Sequence, residues 1–169
     1  MKRDYCYFIL PALIVITLDQ LSKFVVVGYI RYNQSIRVIE DFFNLVHVRN
    51  RGMAFGLLNR PEPGFSFYIL VAATIVAIFL IFFWFTSLKG KDQRLIPGLS
   101  LILGGAIGNL IDRLRLKEVI DFLDFYIGNY HWPAFNLADS SITVGALWIA
   151  VNILLLGSSD SQMLKGDKP

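Results

Sequence analysis

Two aspartates flank one connection of this chain. Asp121 stands in Val119-Ile120-Asp121-Phe122, and Asp139 closes Phe135-Asn136-Leu137-Ala138-Asp139. Two adjacent carboxyl groups can hydrolyse an amide with no other help: one deprotonates water while the other protonates the carbonyl oxygen and the departing nitrogen. At about 3 Å such a pair cannot easily ionise twice, so one proton is shared and the titration belongs to the pair. Each residue also has a plainer reading. Asp139 suits a helix N-terminus through capping and the dipole, although Asn136 and Ser140 would cap as well. Asp121 reads otherwise as an exposed loop acid, which its apolar neighbours make uncomfortable. Asp124 competes with it three residues on, and spacing alone does not decide between them.

Other polar residues recur where oil dominates. Asp19 and Lys23 are spaced i, i+4 with the acid first, the favourable order for a helical ion pair. They either pair for structure, or brace a site and meet a polar group of a substrate. Asn109, Asp112 and Arg113 form one polar face after Gly104, Gly105 and Gly108, and the Gly104 to Gly108 spacing admits a closely packed second helix. Asp112 and Arg113 also fit a simple helix end, whereas Asn109, a turn deeper, is harder to dismiss. Charged groups inside a bilayer cost at least about 2.5–3.5 kcal/mol at its centre, so each one present asks for a reason.

Rival chemistries lack their parts. His47 and His131 are far apart with no HExxH spacing, and read as a strand residue and an interface residue beside Trp132. Ser140-Ser141 lies outside any Gly-x-Ser-x-Gly elbow, and neither a Walker loop nor a dinucleotide fingerprint occurs. The single cysteine, Cys6, excludes an internal disulfide and a cysteine-based zinc site.

The elements that must position these groups are membrane spans. Of the 169 residues 55% are hydrophobic and 17% charged, more apolar than a soluble domain. Residues 65–88 hold no ionisable group and at helical rise exceed the hydrocarbon core of about 30 Å. Residues 5–30, 95–113 and 139–156 qualify despite interruptions, predicting four spans. The opening Met1-Lys2-Arg3 and its apolar run would suit a cleavable signal, but no small-residue cleavage site follows. The net charge of +3 comes without a basic run interleaved with aromatics, so anionic headgroups rather than nucleic acid are the expected counterpart.

Four spans place both termini on one side and residues 31–62 together with the connection after span three on the other. Seven Lys and Arg fall on the terminal side, in very short segments, against eight on the other, which leans towards termini inside. Within residues 31–62 the stretch Ser35 to Phe55 alternates in places, as in Ile36 and Val38 and then Leu45, His47 and Arg49, predicting short strands. Pro61, Pro63 and Gly64 mark a turn into span two, and Phe122 to Tyr130 is expected to form a surface helix or strand. Residues 157–169 read as a frayed, flexible polar tail.

Together these motifs resemble the bacterial lipoprotein signal peptidase family, also called type II signal peptidases. The likeness runs in order through Asp19-Gln20-Leu21-Ser22-Lys23, Asn50-Arg51-Gly52-Met53-Ala54-Phe55, Gly104 to Arg113, Val119 to Phe122 and Pro133 to Ser140. It implies an aspartic endopeptidase that cuts before a diacylglyceryl-modified cysteine, with Asp121 and Asp139 as the catalytic dyad. Asp19, Lys23, Asn50, Gly52, Gly104, Asn109, Asp112, Arg113 and Asn136 carry over as supporting or substrate-binding residues. It further implies four helices with a small extracytoplasmic β cradle and a short surface helix, in the bacterial inner membrane with cytoplasmic termini. Its partners would be prolipoprotein signal peptides, membrane lipid and globomycin-type cyclic peptide inhibitors, with the chain working as a monomer and no metal or cofactor implied. The competing reading is a small proton-coupled transporter, which predicts acids deep within spans; here Asp112, Asp121 and Asp139 gather at one surface.

Overall fold

The computed structural model describes residues 2–52, 64–91 and 93–166, with side chains for 3–52, 64–91 and 93–154. Four long helices and a small antiparallel sheet alternate as α1 (Lys2–Tyr29), β1 (Ser35–Ile39), β2 (Phe43–Asn50), α2 (Phe65–Leu88), α3 (Ile96–Leu116), β3 (Val119–Ile127), β4 (Tyr130–His131) and α4 (Leu137–Gly166). Among the described residues three helices are long and apolar enough to cross a membrane: Arg3–Tyr29, Phe65–Leu88 and Leu137–Leu154. Their flanks carry Phe24, Tyr29, Phe65, Phe79 and Leu154 fully in the open, as lipid-facing side chains must be in a multi-pass membrane protein.

α3 is not among those three, and its place in the bundle says why. It packs on α1, α2 and α4, and its buried positions include Gly98, Ser100, Gly104, Gly105, Gly108, Asn109 and Asp112. A helix enclosed by protein gains more from close approach than from greasy side chains. An added Cβ at Gly104 would lie 2.8 Å from the Val15 Cβ of α1, and one at Gly108 would lie 2.7 Å from the Asp19 carboxylate. One at Gly105 would collide with the Ala138 carbonyl of α4.

The bundle is tied at one end by Asp4, which accepts from the Gly90 backbone N–H at 3.0 Å and from Gln93 Nε2 at 2.8 Å across the turn between α2 and α3. Next to it Phe8 stacks on Phe85 at 4.0 Å over a core of Ile96 and Leu99. The sheet caps the other end in the order β1-β2-β3-β4, and Val26, Ile30 and Phe122 seal it onto α1 with Leu45, Leu123 and Leu137.

The expected strands within Ser35 to Phe55 are β1 and β2, but simple alternation fails on β2. Leu45 pairs with Leu123 and Val48 with Asp121, so β2 spends three residues where β3 spends two. This β-bulge turns the parity over. Val48 and Asn50, not His47 and Arg49, follow Leu45 on the face shared with Leu123 and Asp121. His47 is drawn inward instead, its Nδ1 lying 2.8 Å from the Ile30 carbonyl at the end of α1. Phe122 to Tyr130, left open between helix and strand, is the hairpin of β3 and β4. No short surface helix occurs among the described residues, and the turn at Pro61 and Pro63 lies outside them. α4 is helical to Gly166, beyond the span end expected at 156, because a helix leaving the bilayer closes its own backbone hydrogen bonds.

Replacing Gly105 with Ala forces α4 off α3, and overpacking of this kind costs about 1–3 kcal/mol. Gly28→Ala, where nothing lies within 4 Å of the added Cβ, serves as the control. The thermal midpoint of the detergent-solubilised chain should fall for Gly105→Ala and hold or rise for Gly28→Ala; equal midpoints would deny the close helix approach.

Candidate active site

Asn136 stands immediately before α4 and forms a reciprocal pair with Asp139. Its Oδ1 accepts from the Asp139 N–H at 2.9 Å, and the Asp139 Oδ2 accepts from the Asn136 N–H at 3.3 Å. This is a capping box built from Asn and Asp. The other end of the same amide, Nδ2, donates to Asp121 Oδ1 at 2.7 Å. One fully buried side chain therefore starts the helix that carries one acid and touches the other.

Two more asparagines complete the frame. Asn109 of α3 donates from Nδ2 to Asp139 Oδ1 at 2.8 Å, and Asn50 at the end of β2 donates to Asp121 Oδ2 at 3.1 Å. Asn50 faces Asp121 because of the bulge; without it the amide would point to the other side of the sheet. Both acids line one cavity of about 540 Å³ together with Asn50, Asn109 and Arg113. Gly52 is at its edge, where its backbone N–H donates to Asn50 Oδ1 at 2.9 Å.

Behind this cavity lies a buried ionic cluster. Lys23 Nζ sits 2.8 Å from Asp19, 2.9 Å from Asp112 and 3.0 Å from Asn109 Oδ1, hydrogen-bonded to Asp19 and Asn109 and ion-paired with Asp112. Both acids also accept from backbone, Asp19 through its other oxygen and Asp112 through the same oxygen that pairs with Lys23. Asp19 Oδ1 accepts from the Ala138 N–H at 2.9 Å and Asp112 Oδ2 from the Ile120 N–H at 3.3 Å. Those two donors are the residues directly before Asp139 and Asp121.

The residues singled out from the sequence thus separate into layers. Asn50, Gly52, Asn109, Arg113, Asp121 and Asp139 line the cavity; Asp19, Lys23, Asp112 and Asn136 support it; Gly104 lies deeper, against α1. Asp124, the competing acid, is an odd number of residues from Asp121 on a strand and faces away. It binds His131 Nδ1 at 2.9 Å and Asn44 Nδ2 at 3.0 Å on the other side of the sheet. His131 is accordingly Asp124's partner at the hairpin rather than only an interface residue. Sequence reasoning passed over Gln20, whose Nε2 reaches Asp112 at 3.0 Å and both Asp19 and the Gly108 carbonyl at 3.2 Å. Its place beside Asp19 on the polar stripe of α1 was the available signal.

Burial pushes the Asp121 carboxyl up to about 7, and the nearby negative charge of Asp139 adds to the rise. The bonds from Asn50 and Asn136 and the charge of Lys23 oppose it. An unfolded aspartate titrates near about 3.9, so the folded state binds the Asp121 proton more tightly than the unfolded chain does. That contribution to stability is fully present below about 4 and is lost as pH rises through about 7. The stability of Asp121→Asn relative to the unsubstituted chain should therefore increase between pH 4 and 8, read from thermal midpoints; parallel curves would mean that Asp121 does not titrate there. Lys23→Met strands two buried carboxylates and should cost about 3–5 kcal/mol, seen as a collapse of the same midpoint. An unchanged midpoint would show the cluster to be open to water.

The sequence pattern of the family described as signal peptidase (SPase) II matches residues 11–155. The lipoprotein signal peptidase of Syntrophus aciditrophicus (strain SB) is 42% identical over 154 residues, covering 91% of this chain and 96% of its own. That of Oleidesulfovibrio alaskensis is 46% identical over 153 residues, with 90% and 97% covered. A bacterial membrane enzyme solved by the in meso method superposes with a TM-score of 0.80 at 32% identity, covering 89% of this chain and 88% of that one. These relatives speak for a peptidase rather than a carrier. The chain belongs to the signal peptidase II family, the enzymes that remove signal peptides from lipoproteins.

Proposed function

We propose that Asp121 and Asp139 are the catalytic dyad and that it cleaves the signal peptide immediately before a diacylglyceryl-modified cysteine. The observation that carries the reading is the Asn136 amide group, which bonds Asp121 at 2.7 Å while its residue caps Asp139 into the same cavity. A pair so joined holds one proton near neutral pH, since burial and the neighbouring charge keep Asp121 protonated up to about 7. The ionised member takes a proton from a water molecule between them as the water oxygen bonds to the scissile carbonyl carbon, and the protonated member donates to the carbonyl oxygen. The proton gained by the base then passes to the nitrogen as the C–N bond breaks, and a hydroxyl of the tetrahedral intermediate returns its proton to the first acid. Asn50, Asn109 and Asn136 fix the carboxyl planes, and the Arg113 guanidinium, whose charge acts on both acids, orients the substrate backbone. Asp19, Lys23 and Asp112 hold the elements beneath.

The same reading places the chain in the bacterial inner membrane as a monomer, with cytoplasmic termini and the sheet and dyad on the outer side. α3 then serves as the fourth crossing helix, its 21 residues reaching about 32 Å. Membrane lipid and the lipidated signal peptide would meet the cavity along α4, where Ile142 and Val144 line it. Globomycin-type cyclic peptides would compete for the dyad.

Asp121→Asn and Asp139→Asn should each lower cleavage of a diacylglyceryl precursor by about 10²–10⁴-fold, the usual worth of a positioned acid or base. Near-normal turnover in either would refute the dyad. The rate should also decline as pH climbs past about 7, because the singly protonated pair loses its remaining proton. A rate that keeps rising to pH 9 would contradict it.

A further inference from the structure

The rim of the cavity carries an ion-pair fork that the chemistry above leaves unused. Glu118 stands between the left-handed Lys117 that ends α3 (φ 61°) and the first residue of β3, with its side chain 7% exposed. Its two oxygens take different arginines: Oε1 accepts from Arg49 Nη1 at 2.7 Å and Oε2 from Arg51 Nε at 3.1 Å. One cation would neutralise a buried carboxylate, so the second arginine has another effect, and that effect is geometric.

The two arginines flank Asn50. On the ladder Arg49 pairs with Ile120 and Asn50 with Val119, the last pair of the two strands, so the residue before Val119 can reach both sides of Asn50. Among the described residues that pair is the last of the β2–β3 ladder, and the turn through Arg51 and Gly52 lies past it. The fork ties Arg51 to Glu118 there, and Arg49 is further steadied 5.2 Å over the Tyr32 ring. With Arg51 held, the Gly52 N–H donates to Asn50 Oδ1, which leaves Nδ2 to donate to Asp121. An Asn50 amide turned by 180° would lose the Gly52 bond and set its NH2 group against the Gly52 N–H, donor against donor. The fork therefore chooses the amide's orientation.

We infer that Glu118 is a positioning residue for the reaction: through Arg51 and the Gly52 N–H it aims the Asn50 amide at Asp121. The inference rests on the reading of Asp121 as a dyad member. It assigns Glu118 no contact with substrate.

The test uses the full chain in detergent with a diacylglyceryl precursor. Glu118→Gln should lower kcat about tenfold, the equivalent of one hydrogen bond to a charged group, with KM moving by less than about twofold. Glu118→Asp, which keeps the charge, should recover part of the loss. Combining Glu118→Gln with Asn50→Ala should be no slower than Asn50→Ala alone, because the fork acts only through that amide. Losses that multiply in the double variant, or an unchanged kcat in Glu118→Gln, would overturn the inference. Should Glu118→Gln fail to fold, Arg51→Gln leaves the Arg49 pair in place and carries the same comparison. A wild-type-like Glu118→Gln alongside an inert Asp121→Asn would remove only the positioning role, whereas an active Asp121→Asn would remove the dyad itself.

Discussion

One ammonium group, buried between two carboxylates where the sheet meets the helices, organises this protein. Lys23 is buried, hydrogen-bonded to Asp19 and Asn109 and ion-paired with Asp112. Taking such charges out of solvent is unfavourable by several kcal/mol per ion unless every remaining lone pair finds a donor. The donors present include the Gln20 amide and the N–H groups of Ile120 and Ala138. Satisfying the lysine thus fixes the backbone one residue before Asp121 and one residue before Asp139. Two acids 18 positions apart in sequence are set by one electrostatic requirement.

The cluster holds two negative charges against one positive, beside a pair of further acids. Its surplus is tolerated because α4 begins there. The positive end of that helix faces Asp19, which takes the Ala138 N–H, while the Asn136 N–H reaches Asp139 and the Arg113 charge adds to the compensation. The close approach this needs is made by α3, whose Gly105 and Gly108 leave room for the start of α4 and for Asp19 respectively. The polar stripe and the glycine stripe of α3 are therefore one device.

Much of this is readable in the sequence because a bilayer penalises polar groups so heavily that Asp19, Lys23, Asn109 and Asp112 stand out against their apolar surroundings. What alternation could not supply is the face of Asn50. A strand read with period two sets Leu45, His47 and Arg49 in one row, and the extra residue between Leu45 and Val48 moves Val48 and Asn50 into it instead. The signal for that bulge is tertiary, the capture of His47 by the Ile30 carbonyl, and no local pattern announces it. Choosing between Asp121 and Asp124 likewise needed only the knowledge that their segment is a strand, which its aromatic composition left open. The lower hydropathy of α3 has the opposite cause: protein encloses much of it, so fewer of its positions are apolar.

The two acids do not have equivalent surroundings, and the difference follows from the elements that carry them. Asp139 rides on the first turn of a helix, bonded by Asn109 and by the Asn136 backbone. Asp121 lies mid-sheet, buried, with amide donors from Asn50 and Asn136 among the described residues, and its proton is held up to about 7. A symmetrical pair would divide a proton evenly; one strand-borne and one helix-borne carboxyl bias where it rests. In the proposed hydrolysis that bias separates acid from base before any substrate arrives. The cavity continues from the acids along Ile142, Thr143 and Val144 of α4, so its polar end meets a peptide bond while its apolar side follows a membrane helix. An amphiphile whose scissile bond adjoins its lipid would be oriented by that division alone.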